Sequence, residues 1–527
     1  MADPGSPGSG ASRRPSRTGG GLERSAAGDH NPWMVATIVS MATFMEVLDT
    51  SIANVSLQHI AGSMAASQDE STWILTSYLV SNAIVLPISG WLSHVIGRKR
   101  FYMGCVALFG ASSLLCGAAP SLGWLIVFRI LQGLGGGGLA PSEQSILADS
   151  FPPDRRGQAF ALYGIAVVVA PTLGPTLGGW ITDTYSWRWI FLINVPVCLL
   201  SLFLSWRILV DPPAVEEDRK RAAGRWRQVD WLGAALVAVG LGCLQVVLDK
   251  GTEDDWLASD FIVAFTVIAG LALTALIVWE LAQDDPIVDL HLARHPSFGA
   301  SMAAMFATGF ILISTTQVIP QFLQTIMGYD ATKAGLALTA GGCATLVVMP
   351  LAGALTRKVQ PKYLISFGLA VECLACLYLR GFNTSIGFWH AAVGRIFQAV
   401  GLPFLFVPIT TVSYAGLPPA KSPNASALIN TMRNLGGSFG ISVAVAVLAR
   451  RGQMHHARLT ERITPYAPQA WRHLLGGPAA IARAVERQAQ MLSYLDLFTL
   501  LAVVAAAIVP VTLLLKKINL REAHAGH

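Results

Sequence analysis

Residues 44–55 read FMEVLDTSIANV, inside an otherwise apolar run that begins near Trp33. Two carboxylates, Glu46 and Asp49, stand three residues apart there, so on a helix both point roughly the same way, one turn above the other. A carboxylate at bilayer depth costs about 2.5–3.5 kcal/mol on insertion scales, so it is seldom placed there without a task. A second apolar run, FRILQGLG at 128–135, holds Arg129 and Gln132. Glu143, Asn194, Glu372, Arg395, Asn430, Arg433 and Asn434 are further polar groups in apolar surroundings. Ionisable groups at such depth face the interior of a helix bundle and pair with one another, which leaves two readings for Glu46 and Asp49. They take up and release protons, or they form a buried ion pair with Arg129 or Arg433 that only fixes helix register.

Other chemistries find little support. Gly133, Gly135 and Gly138 formally match GxGxxG, but no strand-turn-helix unit surrounds them and no Lys-Ser or Lys-Thr pair follows, so they read as glycines that let helices approach closely. No nucleotide-binding loop is found elsewhere, so no cofactor is expected and energy for work must come from an ion gradient or a partner. Cys373 and Cys376 spell CxxC within LAVECLACLYL, with no second pair or histidine close by, and read as packing residues rather than metal ligands. The cysteines are odd in number and sit in apolar runs, which argues against a disulfide framework. The net charge of +6 is spread over short loops, which argues against nucleic acid as a partner.

These groups must be positioned by membrane helices. The 527 residues are 53% hydrophobic and 13% charged, against about 25% charged in soluble domains. Apolar runs long enough to span lie near 33–57, 73–93, 101–119, 122–147, 157–182, 188–208, 231–249, 260–282, 299–322, 332–356, 361–381, 387–415, 424–449 and 493–515, fourteen in all. Basic loops alternate with acidic or neutral ones: HVIGRKR, PPDRRGQ, EEDRKRAAGRWR, TRKVQPK and KKINLR lie on one side. By the positive-inside rule that side, with both termini, is cytoplasmic. The arginine-rich segment 450–492 falls on the outer side and reads as a structured loop with helical periodicity around AAIARAVERQAQML. Residues 1–32 read as a disordered cytoplasmic tail rather than a signal peptide. The expected organisation is a bundle at 33–208, a basic linker at 209–230, two extra spans at 231–282, a second bundle at 299–515 and a tail at 516–527. FRILQGLG and GRIFQAVG (394–401) repeat Arg, Gln and Gly at equal spacing, as expected of repeated halves around a central site.

Four motifs carry a family resemblance: LDTSIANV (48–55), GWLSHVIGRKR (90–100), RILQGLGGG (129–137) and APTLGPTLGG (170–179), with WRWIFLINVP (187–196) beside them. The chain resembles the fourteen-span drug:proton antiporters of the major facilitator superfamily, the EmrB/QacA type. LQVVLDKGTEDDW, VWELAQDDPIVDL and MHHARLTE bring it nearest to the EmrB-like members. The resemblance implies an all-α integral membrane fold of two six-helix bundles with two extra central helices. It implies Asp49 as the first-span acid of proton and substrate coupling, and Arg129 as the arginine linked to proton transfer. Gly90, Gly97, Arg98 and Lys99 fall on the family's gating loop, where His94 replaces an acid found in many relatives. Pro171, Gly174, Pro175, Gly178 and Gly179 fall on the antiporter motif, and Glu46 lies outside any motif.

The expected function is export of lipophilic or cationic compounds in exchange for protons, across a bacterial inner membrane, by alternating access. No enzymatic step is expected. The lipid bilayer and hydrophobic small molecules are the direct partners, and the resemblance adds a periplasmic EmrA-type adaptor with an outer-membrane channel. The competing reading is a narrow exporter of one metabolite, fatty acid or siderophore.

Overall fold

A computed structural model describes residues 31–211, 230–283, 286–415, 417, 421–461 and 477–513. The expected N-terminal tail, most of the linker at 209–230, the C-terminal tail and the centre of the 450–492 segment lie outside the described residues. Among the described residues, fourteen helices are long and apolar enough to cross a membrane. We label them α1 Pro32–Val55, α2 Asp69–Ile96, α3 Arg98–Gly117, α4 Leu122–Ser150, α5 Arg156–Thr184, α6 Trp189–Ile208, α7 Trp231–Lys250, α8 Asp260–Ala282, α9 Pro296–Thr325, α10 Lys333–Leu355, α11 Pro361–Arg380, α12 Phe388–Ser413, α13 Ser422–Glu461 and α14 Ala479–Thr512. The ends carrying the loops near Gly97, Pro152 and Gln360 are called the basic-loop end below.

Local chemistry sets the ends of these helices. Asn31 caps α1 with Pro32 in its first turn, a place where the missing N–H costs nothing. Ser67 and Glu70 form a reciprocal capping box at the start of α2, with bonds of 3.1 and 2.8 Å. Asp230 and Asp330 cap the helices that carry α7 and α10. Gly97 joins α2 to α3 at φ 95°, a conformation that disfavours a side chain. Within α4 the glycine run interrupts the helix at Gly137–Gly138, between stretches ending at Gly136 and starting at Leu139. A Cβ at Gly137 would lie 2.6 Å from the Asn82 carbonyl oxygen, so the run also lets α2 press against α4.

The two halves pack alike. α1 lies on α5 as α9 lies on α13, α2 on α4 as α10 on α12, and α3 on α6 as α11 on α14. Lipid tails are as apolar as these side chains, so close packing and polar links rather than withdrawal from water hold the helices together. Phe101, Phe109 and Phe160 sit in one core; Phe322, Tyr494 and Phe498 sit in another, with Phe322 and Tyr494 edge-on at 5.2 Å. The extra pair is attached on one flank: α7 packs on α2 and α8, and Ser438 of α13 donates to Gln245 of α7 at 2.9 Å. α8 exposes Leu271, Ile277 and Val278, the surface a lipid-facing helix presents.

The segment read as a structured loop, 450–492, takes a different form in its described parts. Residues 450–461 continue α13, which runs 40 residues, and 477–492 open the helix Gly477–Leu513. At about 1.5 Å per residue, 40 residues reach well beyond a hydrocarbon core of about 30 Å. The polar sequence there continues helical because its hydrogen bonds need no apolar partner, and side chains tie the two helices. His455 Nε2 lies 2.9 Å from Asp496, and His456 lies 3.7 Å from Glu486.

Candidate functional site

Asp49 projects from α1 into the interior of the first bundle, where three polar side chains donate to it. Arg129 Nη1 donates to its Oδ2 at 2.7 Å; Gln132 Nε2 and Asn194 Nδ2 donate to its Oδ1 at 3.1 and 2.6 Å. Arg129 is 0% exposed; its Nε donates to the Ile74 carbonyl at 3.1 Å and its Nη1 also reaches Gln132 Oε1 at 2.7 Å. The guanidinium lies 4.3 Å from the Tyr78 ring centroid and 5.6 Å from that of Phe191. Ser113 of α3 completes the knot by accepting from Gln132 at 2.7 Å. A buried charge pair is sustained by the hydrogen bonds around it, and here α2, α3, α4 and α6 supply them, while Arg129 Nη2 is buried without a partner.

Glu46, one turn away, is half-buried and faces a different neighbourhood. Tyr78 Oη and Asn82 Nδ2 donate to its Oε1 at 3.3 and 3.2 Å. Asn82 Oδ1 in turn accepts from Asn434 Nδ2 of α13 at 3.3 Å, which links the carboxylate to the second bundle. Arg433, beside Asn434, is the cation whose charge acts on Glu46. The two acids of FMEVLDTSIANV are therefore separated in role by geometry: Asp49 is enclosed within one bundle, and Glu46 stands at the seam between two.

The gating residues sit at the basic-loop end. Arg98 pairs with Asp149 at the end of α4, and the Lys99 backbone N–H donates to Asp211 at 2.9 Å. His94 lies half-buried in the last turn of α2. Gly90 lies against the backbone of Asn424 on α13, where a Cβ would come within 2.8 Å of the Asn424 Cα. The seam is tied along this half: Asp154 to Arg357 at 3.2 Å, Ser426 to the Pro141 carbonyl at 2.8 Å, Asn430 to Gln144 at 2.8 Å. From this end the ties reach as far as the Asn82–Asn434 contact.

The antiporter motif packs α5 on α1. Pro175 lacks the N–H that would bond the Pro171 carbonyl one turn back, and Ser51 Oγ of α1 donates to that carbonyl at 3.2 Å instead. Gly174 and Gly178 face Ser51 and Ile52 of α1, whereas Gly179, expected on the same packing face, meets open space. A helix turns about 100° per residue, so two adjacent glycines cannot share one contact.

In the second bundle Arg395 Nη1 donates to Gln398 at 2.6 Å and Nη2 to Thr316 at 3.5 Å. Glu372 is 0% exposed and neither of its carboxyl oxygens accepts a hydrogen bond. Glu143, also 0% exposed, is in the same condition in the first bundle. Sequence reasoning brought out Asp49, Arg129, Gln132 and Asn194, and the structure brings those four together. It did not single out Ser113, Tyr78, Asn82, Gln144 or Asp149, whose residue types are too common to stand out; only their helix register toward a named charge could have found them.

A family model described as Major Facilitator Superfamily matches residues 39–441. The chain is similar to the "Multidrug export protein EmrB" of Haemophilus influenzae, 38% identical over 437 residues that cover 82% of this chain and 84% of that one. It is similar to the "Fatty acid resistance protein FarB" of Neisseria gonorrhoeae, 37% identical over 435 residues that cover 82% and 84%. Among solved structures, the proton:xylose symporter XylE bound to 6-bromo-6-deoxy-D-glucose overlays with a TM-score of 0.57, covering 88% of this chain and 94% of that one. Its identity of 16% makes that a likeness of fold alone.

Proposed function

The chain belongs to the major facilitator superfamily and within it to the EmrB type, and from that premise we propose that it exports lipophilic or cationic compounds in exchange for protons by alternating access. The observation that carries the proposal is the placement of two acids on adjacent turns of α1. Asp49 is held by a guanidinium inside one bundle, and Glu46 is wired through Asn82 to Asn434 of the other. A proton bound at this pair removes negative charge from the seam, which weakens the hold on a cationic substrate and changes the Asn82–Asn434 link that couples the bundles. When Asp49 is neutral, Arg129 loses its charge partner and keeps only the Ile74 carbonyl and Gln132 as hydrogen-bond acceptors. A closed basic-loop end corresponds to an outward-facing state if that end is cytoplasmic, the orientation the loop charges favour. We place the protein in a bacterial inner membrane with both termini inside.

The outer ends of α13 and α14, residues 450–461 and 477–492, are the surface we assign to an EmrA-type adaptor leading to an outer-membrane channel. Crosslinking from Arg451 to a co-expressed adaptor checks this, and no adduct from any position on the extensions would rule it out. The test of the export reading is reconstitution in liposomes under an imposed pH gradient, with ethidium and internal pH followed together. Exchange of the two is the expected result; no movement of ethidium or any other lipophilic cation would remove it.

A second reading has one specific support. The similarity to FarB, named for fatty acid resistance, together with Arg433 at the seam, fits a narrow exporter of an amphipathic acid. Protection against one fatty acid and no unrelated compound would favour it over the broad reading.

A further inference from the structure

Glu143 is a titratable group that the account above does not use. It follows the break in α4 and is fully enclosed, and neither carboxyl oxygen accepts a hydrogen bond. Five helices pack against this part of α4, α2 among them, and four of the five bring polar groups near Glu143. From α1 come Glu46 and the Thr43 backbone; from α3 come Tyr102 and Cys105; from α5 comes Tyr163. From α13 the contacts are the neutral Asn430 and Ser426, while Arg433 acts on Glu46 and Tyr163. A carboxyl with no cation beside it and at most the Thr43 backbone N–H as a donor favours its protonated form in an apolar interior.

The α1 face opposite has a matching pattern. Ser40, Thr43 and Glu46 follow at intervals of three, and so share one face. The hydroxyl oxygens of Ser40 and Thr43 are buried without a hydrogen-bond partner, although serine and threonine in a helix can bond a carbonyl one turn back. Unsatisfied polar atoms in one seam call for an explanation, and a path that passes protons is one that uses all of them.

We infer that Glu143 is a second proton-holding group of the transport cycle, which exchanges a proton with Glu46 past the hydroxyl of Thr43. When Glu46 is protonated from the seam, its carboxyl gives that proton to the Thr43 oxygen as Thr43 passes its own to a Glu143 carboxylate. One proton moves, and one neutral carboxyl and one carboxylate stand before and after. Two carboxyls without a cation between them share one proton, and Arg433, which acts on Glu46, leaves it with Glu143 while the seam is closed. Ser40, a turn further along α1, leads toward the basic-loop end. This use of the proton rests on the export reading; that Glu143 holds one does not.

The test has two arms on the full-length protein. In infrared spectra at neutral pH, wild type is expected to show a protonated-carboxyl C=O band whose Glu143 component disappears in Glu143→Gln and stays in Glu143→Asp. A wild-type spectrum without the band, or one unchanged in Glu143→Gln, overturns the assignment. In proteoliposomes, Glu143→Gln keeps the shape and neutrality of the protonated acid, so a packing role would leave transport as in wild type. The expected result is instead a loss of gradient-driven ethidium transport on the order of a hundredfold, the scale on which positioned proton donors act. Transport at the wild-type rate would refute the relay. If wild type itself ignores the gradient, the export reading fails while the infrared arm still decides whether Glu143 holds a proton.

Discussion

The two bundles repeat an Arg-x-x-Gln spacing, and each sets it against a buried acid in a different way. In the first, Arg129 and Gln132 both bond Asp49, and Asn194 and Ser113 close the set. In the second, Arg395 and Gln398 bond each other while Glu372 accepts from neither. Both arginines are enclosed, so burial does not distinguish the sites. The difference lies in which helix carries the acid. Asp49 comes from α1, opposite α4, and meets the fork directly; Glu372 comes from α11, where its oxygen lies beside Gly401 of α12. A completed charge pair resists loss of either member, whereas an acid without donors stands closer to a neutral side chain. On the export reading proposed above, the charge pair of the first bundle is the one expected to change its protonation during transport.

The sharpest way to break this comparison is Asp49→Asn. It strands a fully buried guanidinium, which costs about 3–5 kcal/mol when one partner of a buried pair is removed, and it is expected to end proton-coupled transport. Thermal unfolding in detergent reads the first effect, and replacing Arg129 by a neutral residue in the same chain should restore most of the stability but not the transport. Asn194→Ala follows: losing a hydrogen bond to a charged group costs about 1.5–3 kcal/mol, and the variant should fold while coupling poorly. Arg357→Ala removes the half-exposed pair with Asp154 and should cost only about 0.2–1 kcal/mol. Its measurable consequence is a seam that opens more readily at the basic-loop end, read as faster cysteine labelling at a nearby position. Glu372→Gln is expected to be the mildest, with stability within about 0.5 kcal/mol of wild type and coupled transport retained. A severe loss there would mean that the second bundle uses its acid after all.

Much of this arrangement was legible in the residues. The fourteen spans followed from length and apolarity, because a helix in lipid must satisfy its backbone internally and so leaves a long, readable run. Asp49 and Arg129 stood out because charge at that depth is costly. What did not show was partnership. Nothing in the spacing said that Asn194, on the sixth span, would reach Asp49, or that Glu46, one turn from it, would turn toward Asn82 and the other bundle. The break in α4 was hidden because the glycines read equally well as close-packing residues. The extensions of α13 and α14 were missed as spans of helix because polar sequence beyond the bilayer carries no apolar signal, although its helical periodicity was visible around residues 479–492.

The central claim is that a buried acid of the first bundle couples protons to export and its counterpart in the second does not. The most direct measurement places Asp49→Asn and Glu372→Gln side by side in liposomes under one imposed pH gradient, with ethidium and internal pH recorded in the same vesicles. The account predicts that Glu372→Gln exchanges ethidium for protons as wild type does and that Asp49→Asn exchanges neither. Undiminished exchange by Asp49→Asn would contradict it.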